Sequence, residues 1–82
     1  MSLSLYQYVA LRRDVPEHRL QTGDVAMLVD RVPHPSGGEP GCVLEVFNAV
    51  GESIAVLAVA ASDVAPLRSD EVLAVRPLRR AG

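Results

Sequence analysis

Cys42-Val43-Leu44-Glu45-Val46-Phe47-Asn48-Ala49-Val50-Gly51-Glu52-Ser53-Ile54-Ala55-Val56-Leu57-Ala58-Val59-Ala60 is the stretch that decides the fold. Two apolar runs flank a tetrapeptide that ends in glycine. Branched and aromatic side chains suit a pleated sheet. Asn48-Ala49-Val50-Gly51 fits a four-residue hairpin connection, with Gly51 free to take positive φ. The stretch therefore reads as two antiparallel strands, residues 42–47 and 52–60.

The rest of the chain is cut into strand-length pieces by Pro and Gly. Residues 8–12 and 25–32 read as strands, the second opened by the Gly23-Asp24 turn and ended by Pro33. Between them, residues 13–22 are polar and read as a loop or open hairpin. Residues 33–41 hold three of the six Pro and three of the six Gly, and read as a mobile loop. Residues 61–67 read as a 3₁₀ turn capped by Ser62 or Asp63. Residues 71–76 read as the last strand, with Pro77 ending it and residues 79–82 as a frayed tail.

The expectation is an all-β, single-domain, five-stranded SH3-like barrel, with a short 3₁₀ turn before the last strand and an ordered core over about residues 6–77. The expected core is Val9, Leu11, Val25, Met27, Val29, Val43, Phe47, Ile54, Val56, Val64, Val72 and Ala74. Residues 54–61 are apolar on both strand faces, where a one-sided strand would alternate. One face belongs in the core. The other needs a cover, supplied by residues 3–6, by the Leu78 region, by a second copy or by a partner.

At 82 residues the chain makes one small domain. The formal net charge is −2, all eight basic residues are Arg, and there is one Cys and no Trp. That excludes a disulfide scaffold and a basic nucleic-acid tail, and Cys42 alone points to the reducing cytosol. The start, Met1-Ser2-Leu3-Ser4-Leu5, lacks the basic and apolar regions of a signal peptide. No apolar run reaches the ~18 residues of a membrane helix.

Two blocks carry a family resemblance. One is Val15-Pro16-Glu17-His18-Arg19-Leu20-Gln21-Thr22-Gly23-Asp24-Val25; the other runs from Cys42 through Val56 and on to Ala61-Ser62-Asp63-Val64. Together they resemble an uncharacterised family of short bacterial proteins, a domain of unknown function with an SH3-like barrel. Its members tend to show D-x-P-E-x-x-L-x-x-G-D-x-G-x-V, then E-x-F-x-x-x-G-x-T-x-A, then A-S-D. Here Ala26 stands in place of the usual Gly and Ser53 in place of Thr. The resemblance covers about residues 8–67. It implies a fold and a bacterial cytoplasmic origin, and no catalytic residues. Relatives encoded beside another small protein make a neutralising or partner-binding role the natural expectation.

The chemistry-bearing residues form no recognised constellation. His18, His34 and Cys42 match no compact zinc spacing, so no metal or cofactor is expected. Ser62 has no nucleophile-elbow motif around it, and no small-molecule substrate is evident. Tyr6, Tyr8 and Phe47 are too few aromatics for a proline-peptide groove or a base-stacking platform. Gly23-Asp24-Val25 resembles the turn that opens a KOW nucleic-acid-binding segment, yet Asp14 and Glu17 interrupt the Arg12, Arg13 and Arg19 cluster. The expected function is a non-catalytic, cytoplasmic protein-interaction module, of antitoxin or immunity type or an accessory protein. Its partner would be another protein or a second copy, with no membrane role. The expected contacts are Arg12, Arg13, Glu17, His18 and Arg19 from the first loop, and Leu28, Leu44, Leu57 and Val59 from the strands. The alternatives are a KOW-like nucleic-acid-binding domain and an accessory subunit of a larger enzyme.

Overall fold

Pairing of the strand-length pieces gives β1 (Tyr8–Leu11), β2 (Val25–Val32), β3 (Gly41–Phe47), β4 (Ser53–Ala60) and β5 (Val64–Pro66). The structure is a computed structural model and describes residues 3–78. All pairings are antiparallel, in the order β4-β3-β2-β1-β5. The result is an open sheet with β4 and β5 as its edges. Two 3₁₀ turns, Pro16–His18 and Ala61–Asp63, sit in the β1–β2 and β4–β5 connections.

Local chemistry shapes each connection. In the first loop, Val15 and Leu20 exchange backbone hydrogen bonds of 2.9 and 3.1 Å, which turns both side chains into the core. Asp14 ties the legs of that loop by accepting from the Thr22 N–H at 2.8 Å and its hydroxyl at 3.0 Å. In the β3–β4 hairpin, Asn48 Oδ1 accepts from the N–H groups of Val50 and Glu52, and Gly51 takes φ +86°. The second 3₁₀ turn has no side-chain cap. Asp63 instead receives Arg13 Nε at 2.9 Å, and the Ser62 N–H donates to Glu39 Oε1.

A single buried cluster draws on all five strands and the first loop. Its spine is Leu28, Leu44 and Leu57, directly opposite one another on β2, β3 and β4. Around it pack Val9 and Leu11 of β1, Cys42 and Val46 of β3, Val59 of β4, Val64 of β5, and Val15 and Leu20 of the first loop. Of the expected core, Val9, Leu11 and Val64 are buried. On β2, β3 and β4 the buried face is the opposite of the expected one.

Two register shifts accompany the inversion, one in β2 and one in β4, while β3 alternates regularly. Leu28 faces Leu44, but Asp30 faces Val43, so the bulge at Val29 moves Asp30 to the other face from Leu28. Strict alternation had put Leu28 beside the charged Asp30. A second shift sets Ser53 opposite Phe47 and leaves Ile54 as the extra residue of β4. Glu45 shares its face with Val43 and Phe47, and that face is the outer one.

The last strand also differs from expectation. It is residues 64–66, directly after the 3₁₀ turn, and pairs with β1 through Leu11, Ala10 and Val9. Residues 71–76 are not a strand, and Val72 and Ala74 are exposed. The tail expected over residues 79–82 lies outside the described residues.

Leu44→Ala should therefore destabilise the domain by ~2–5 kcal/mol in urea unfolding. Val56→Ala, on the outer face, should change stability by no more than about 1 kcal/mol. The reverse ranking would invalidate the face assignment.

Candidate functional site

The face turned away from the core carries a row across four strands. Tyr8, Met27, Glu45 and Val56 stand opposite one another in register. Ile54, Val56 and Ala58 extend the exposed apolar surface along β4, and Phe47 is half-buried at the end of β3. Val56 is 59% exposed and Tyr8 49%. The only charge within the row is Glu45, whose Oε2 accepts the Ser53 hydroxyl at 2.6 Å. The sheet is thus apolar on both sides, sealed on one and partly open on the other, where Tyr8, Ile54, Val56 and Ala58 are exposed and Met27, Glu45 and Phe47 half-buried.

Residues 67–78 form a strap at one end of this face. Leu67 and Leu73 line a concavity of about 570 Å³ with Tyr8, Met27, Phe47 and Ala49. Arg76 pins the strap to the start of β2. Its Nε donates to Asp24 Oδ1 at 3.0 Å, its Nη2 to Asp24 Oδ2, and Nη2 also reaches the Arg19 carbonyl at 3.3 Å. Asp24 is held in turn by the Gln21 N–H at 2.8 Å. A two-point guanidinium–carboxylate contact fixes orientation as well as position.

A second concavity, of about 530 Å³, lies at the other end of the sheet. Arg12 and Arg31 flank it over a floor that includes Leu3, Cys42 and Pro66. Neither guanidinium has a carboxylate partner among the described residues, whereas Arg13, Arg68 and Arg76 do. Burial pushes the Cys42 thiol up, away from the reactive thiolate.

The expected contact residues divide into two groups. Arg12, Arg13, Glu17 and Arg19 are exposed on the first loop, and His18 is half-buried there. Arg13 is tied to Asp63, and the Arg19 carbonyl accepts from Arg76. Leu28, Leu44, Leu57 and Val59 are at most 8% exposed and belong to the core, so they are not surface contacts. The surface they were expected to form is made by Tyr8, Met27, Phe47, Ile54 and Val56. Glu45 was the available signal, since a charge in mid-strand marks the solvent side. The Arg76–Asp24 contact spans 52 positions and left no mark in the local sequence. Among the described residues, no three His, Cys, Asp or Glu side chains gather as a metal site, and no helix is long and apolar enough to cross a membrane.

The family model described as "Domain of unknown function (DUF4926)" matches residues 5–66, from before β1 to the end of β5. The strap lies beyond the matched residues. No curated protein and no solved structure matches the chain.

Arg76→Gln should free the strap. Amide hydrogen exchange should accelerate in residues 67–78 while the β2–β3–β4 amides stay protected; unchanged strap exchange would remove Arg76 as the pin. The Asp14 carboxyl lies below its ordinary range because it accepts the Thr22 backbone bond and then the Thr22 hydroxyl bond. A lowered folded value stabilises above the unfolded pKa, and that contribution is lost as pH falls through the folded one. The stability gap between wild type and Asp14→Asn should therefore narrow as pH drops below about 4. A gap independent of pH would contradict it.

Proposed function

The chain belongs to the DUF4926 family, whose description assigns no activity, and from that premise we propose that it is a non-catalytic protein-interaction module. The strand order and the sequence of loop, hairpin and 3₁₀ connections fit an SH3-like barrel, a scaffold that hosts many unrelated binding functions. The setting we propose is a bacterial cytosol, where the module acts as a neutralising antitoxin or immunity protein, or as an accessory protein of a larger assembly.

The observation that carries this reading is the partly open apolar face on which Tyr8, Ile54 and Val56 are exposed beside half-buried Met27 and Phe47. Exposed apolar surface gathered on one sheet face marks a contact site. A stable protein contact covers roughly 800 Å² on each partner, and this face spans four strands. The mechanism is burial of this face, with the first loop adding polar contacts at its margin.

A second reading draws on Arg12 and Arg31, which flank one concavity and have no carboxylate partner among the described residues. They suit an anionic ligand such as a nucleic-acid backbone. The lining has no aromatic residue on which a base would stack, so this reading ranks second.

The test is quantitative affinity capture from the native host with wild type and Met27→Lys. Met27 is on the outer face, so the substitution should leave the fold intact. One stoichiometric protein retained by wild type and lost with Met27→Lys is the expected result. Equal capture by both would refute use of this face. Salt-sensitive recovery of nucleic acid, abolished by Arg12→Glu, would favour the second reading.

A further inference from the structure

β4 is an edge strand of eight residues. Between Ser53 and Ala60 it contains no charge and no proline. Edge strands are ordinarily blunted by Lys, Pro, a short length or a covering segment. β4 has none of the first three, and among the described residues nothing pairs with its outer side. Its one irregularity, at Ile54, lies at the end next to the hairpin. The remaining backbone from Ala55 to Ala60 offers a regular row of unpaired donors and acceptors.

The same chain carries an unused strand. Val72-Leu73-Ala74-Val75 has the composition of a strand, and Glu71 and Arg76 flank it. Val72 is 92% exposed and Val75 89%. Among the described residues, no backbone hydrogen bond involves residues 72–75. Four apolar residues with free backbone groups are held in solvent by the Arg76 pin on one side and the Arg68–Glu71 turn on the other.

The geometry points to a strand exchange between two copies of this chain, in which residues 72–75 of each copy add to the β4 edge of the other. Within one copy the two are not paired. Arg76 is anchored at Asp24, at the start of β2, and β3 lies between β2 and β4. Between copies it closes on itself. Leu73 lines the same concavity as Ala49 and Gly51 of the β3–β4 hairpin, at the end of the sheet where β4 begins. A two-fold axis would make the two additions equivalent, as an isologous contact requires. Main-chain bonds to the edge supply the affinity and the alternating side chains the register.

This inference rests on the interaction-module reading only in being a protein contact. It uses the β4 edge and the strap rather than the centre of the outer face. The experiment is sedimentation equilibrium over a wide concentration range. It is combined with isotope-filtered NOE measurements on a mixed sample of labelled and unlabelled full-length chain. The expected result is a dimer with intermolecular NOEs between residues 72–75 and β4. Val72→Pro with Ala74→Pro removes two donors from each strand and should raise the dissociation constant at least about tenfold. Cooperative unfolding of the proline variant verifies that it is folded, which is expected because residues 72–75 make no backbone bond in the monomer. A monomer at every concentration overturns the inference and leaves the outer-face reading standing. A dimer joined β4 to β4, or through Tyr8 and Met27, overturns it as well, and so does a dimer that survives the two prolines.

Discussion

Everything in this domain hangs on the leucine ladder of Leu28, Leu44 and Leu57. Three adjacent strands each place a leucine in one register row, and that row is the floor on which the remaining core side chains pack. Without a large aromatic residue in the core, density comes from many contacts among Val and Leu. The first loop completes it. Val15 and Leu20 lie outside the sheet, yet their mutual backbone bonds fold them onto the ladder and cap it. The loop is therefore part of the core, and its polar residues are presented from a fixed base.

Much of this architecture was legible in the sequence. The hairpin at residues 48–51, the turn at Gly23-Asp24 and the 3₁₀ turn after β4 follow from residue types whose backbone preferences are strong and local. On β2 the choice of face was not legible, because a bulge changes parity without changing composition. Nothing in Val25 to Val32 signals that Val29 is the extra residue. Glu45 was a better guide than Asp30 because no bulge separates it from Val43. The final strand was misplaced for a related reason. Val72 to Val75 is more strand-like in composition than Val64 to Pro66, but only the latter emerges from the 3₁₀ turn beside β1. Position after a turn outweighed propensity.

The candidate site was legible as a problem and not as a location. An eight-residue apolar run told of two apolar faces, one needing a cover. Which residues form the open face depended on the bulges, and what limits access to it depended on a contact between Arg76 and Asp24 far apart in sequence. The strap lies past the residues matched by the family model. The matched domain and the segment beyond it thus meet at the end of the outer face.

The separation of Arg13 from Asp63 by 50 positions bears on the order in which the molecule assembles. The β3–β4 hairpin closes a short loop around Asn48 and Gly51, so little chain entropy opposes it. β5 reaches β1 only after most of the chain has been gathered in, and its three residues return few contacts for that closure. In a rate analysis, Leu57 contacts should already be present at the folding barrier and Val64 contacts should form beyond it. The first and fifth strands would then be the seam along which the native molecule opens first.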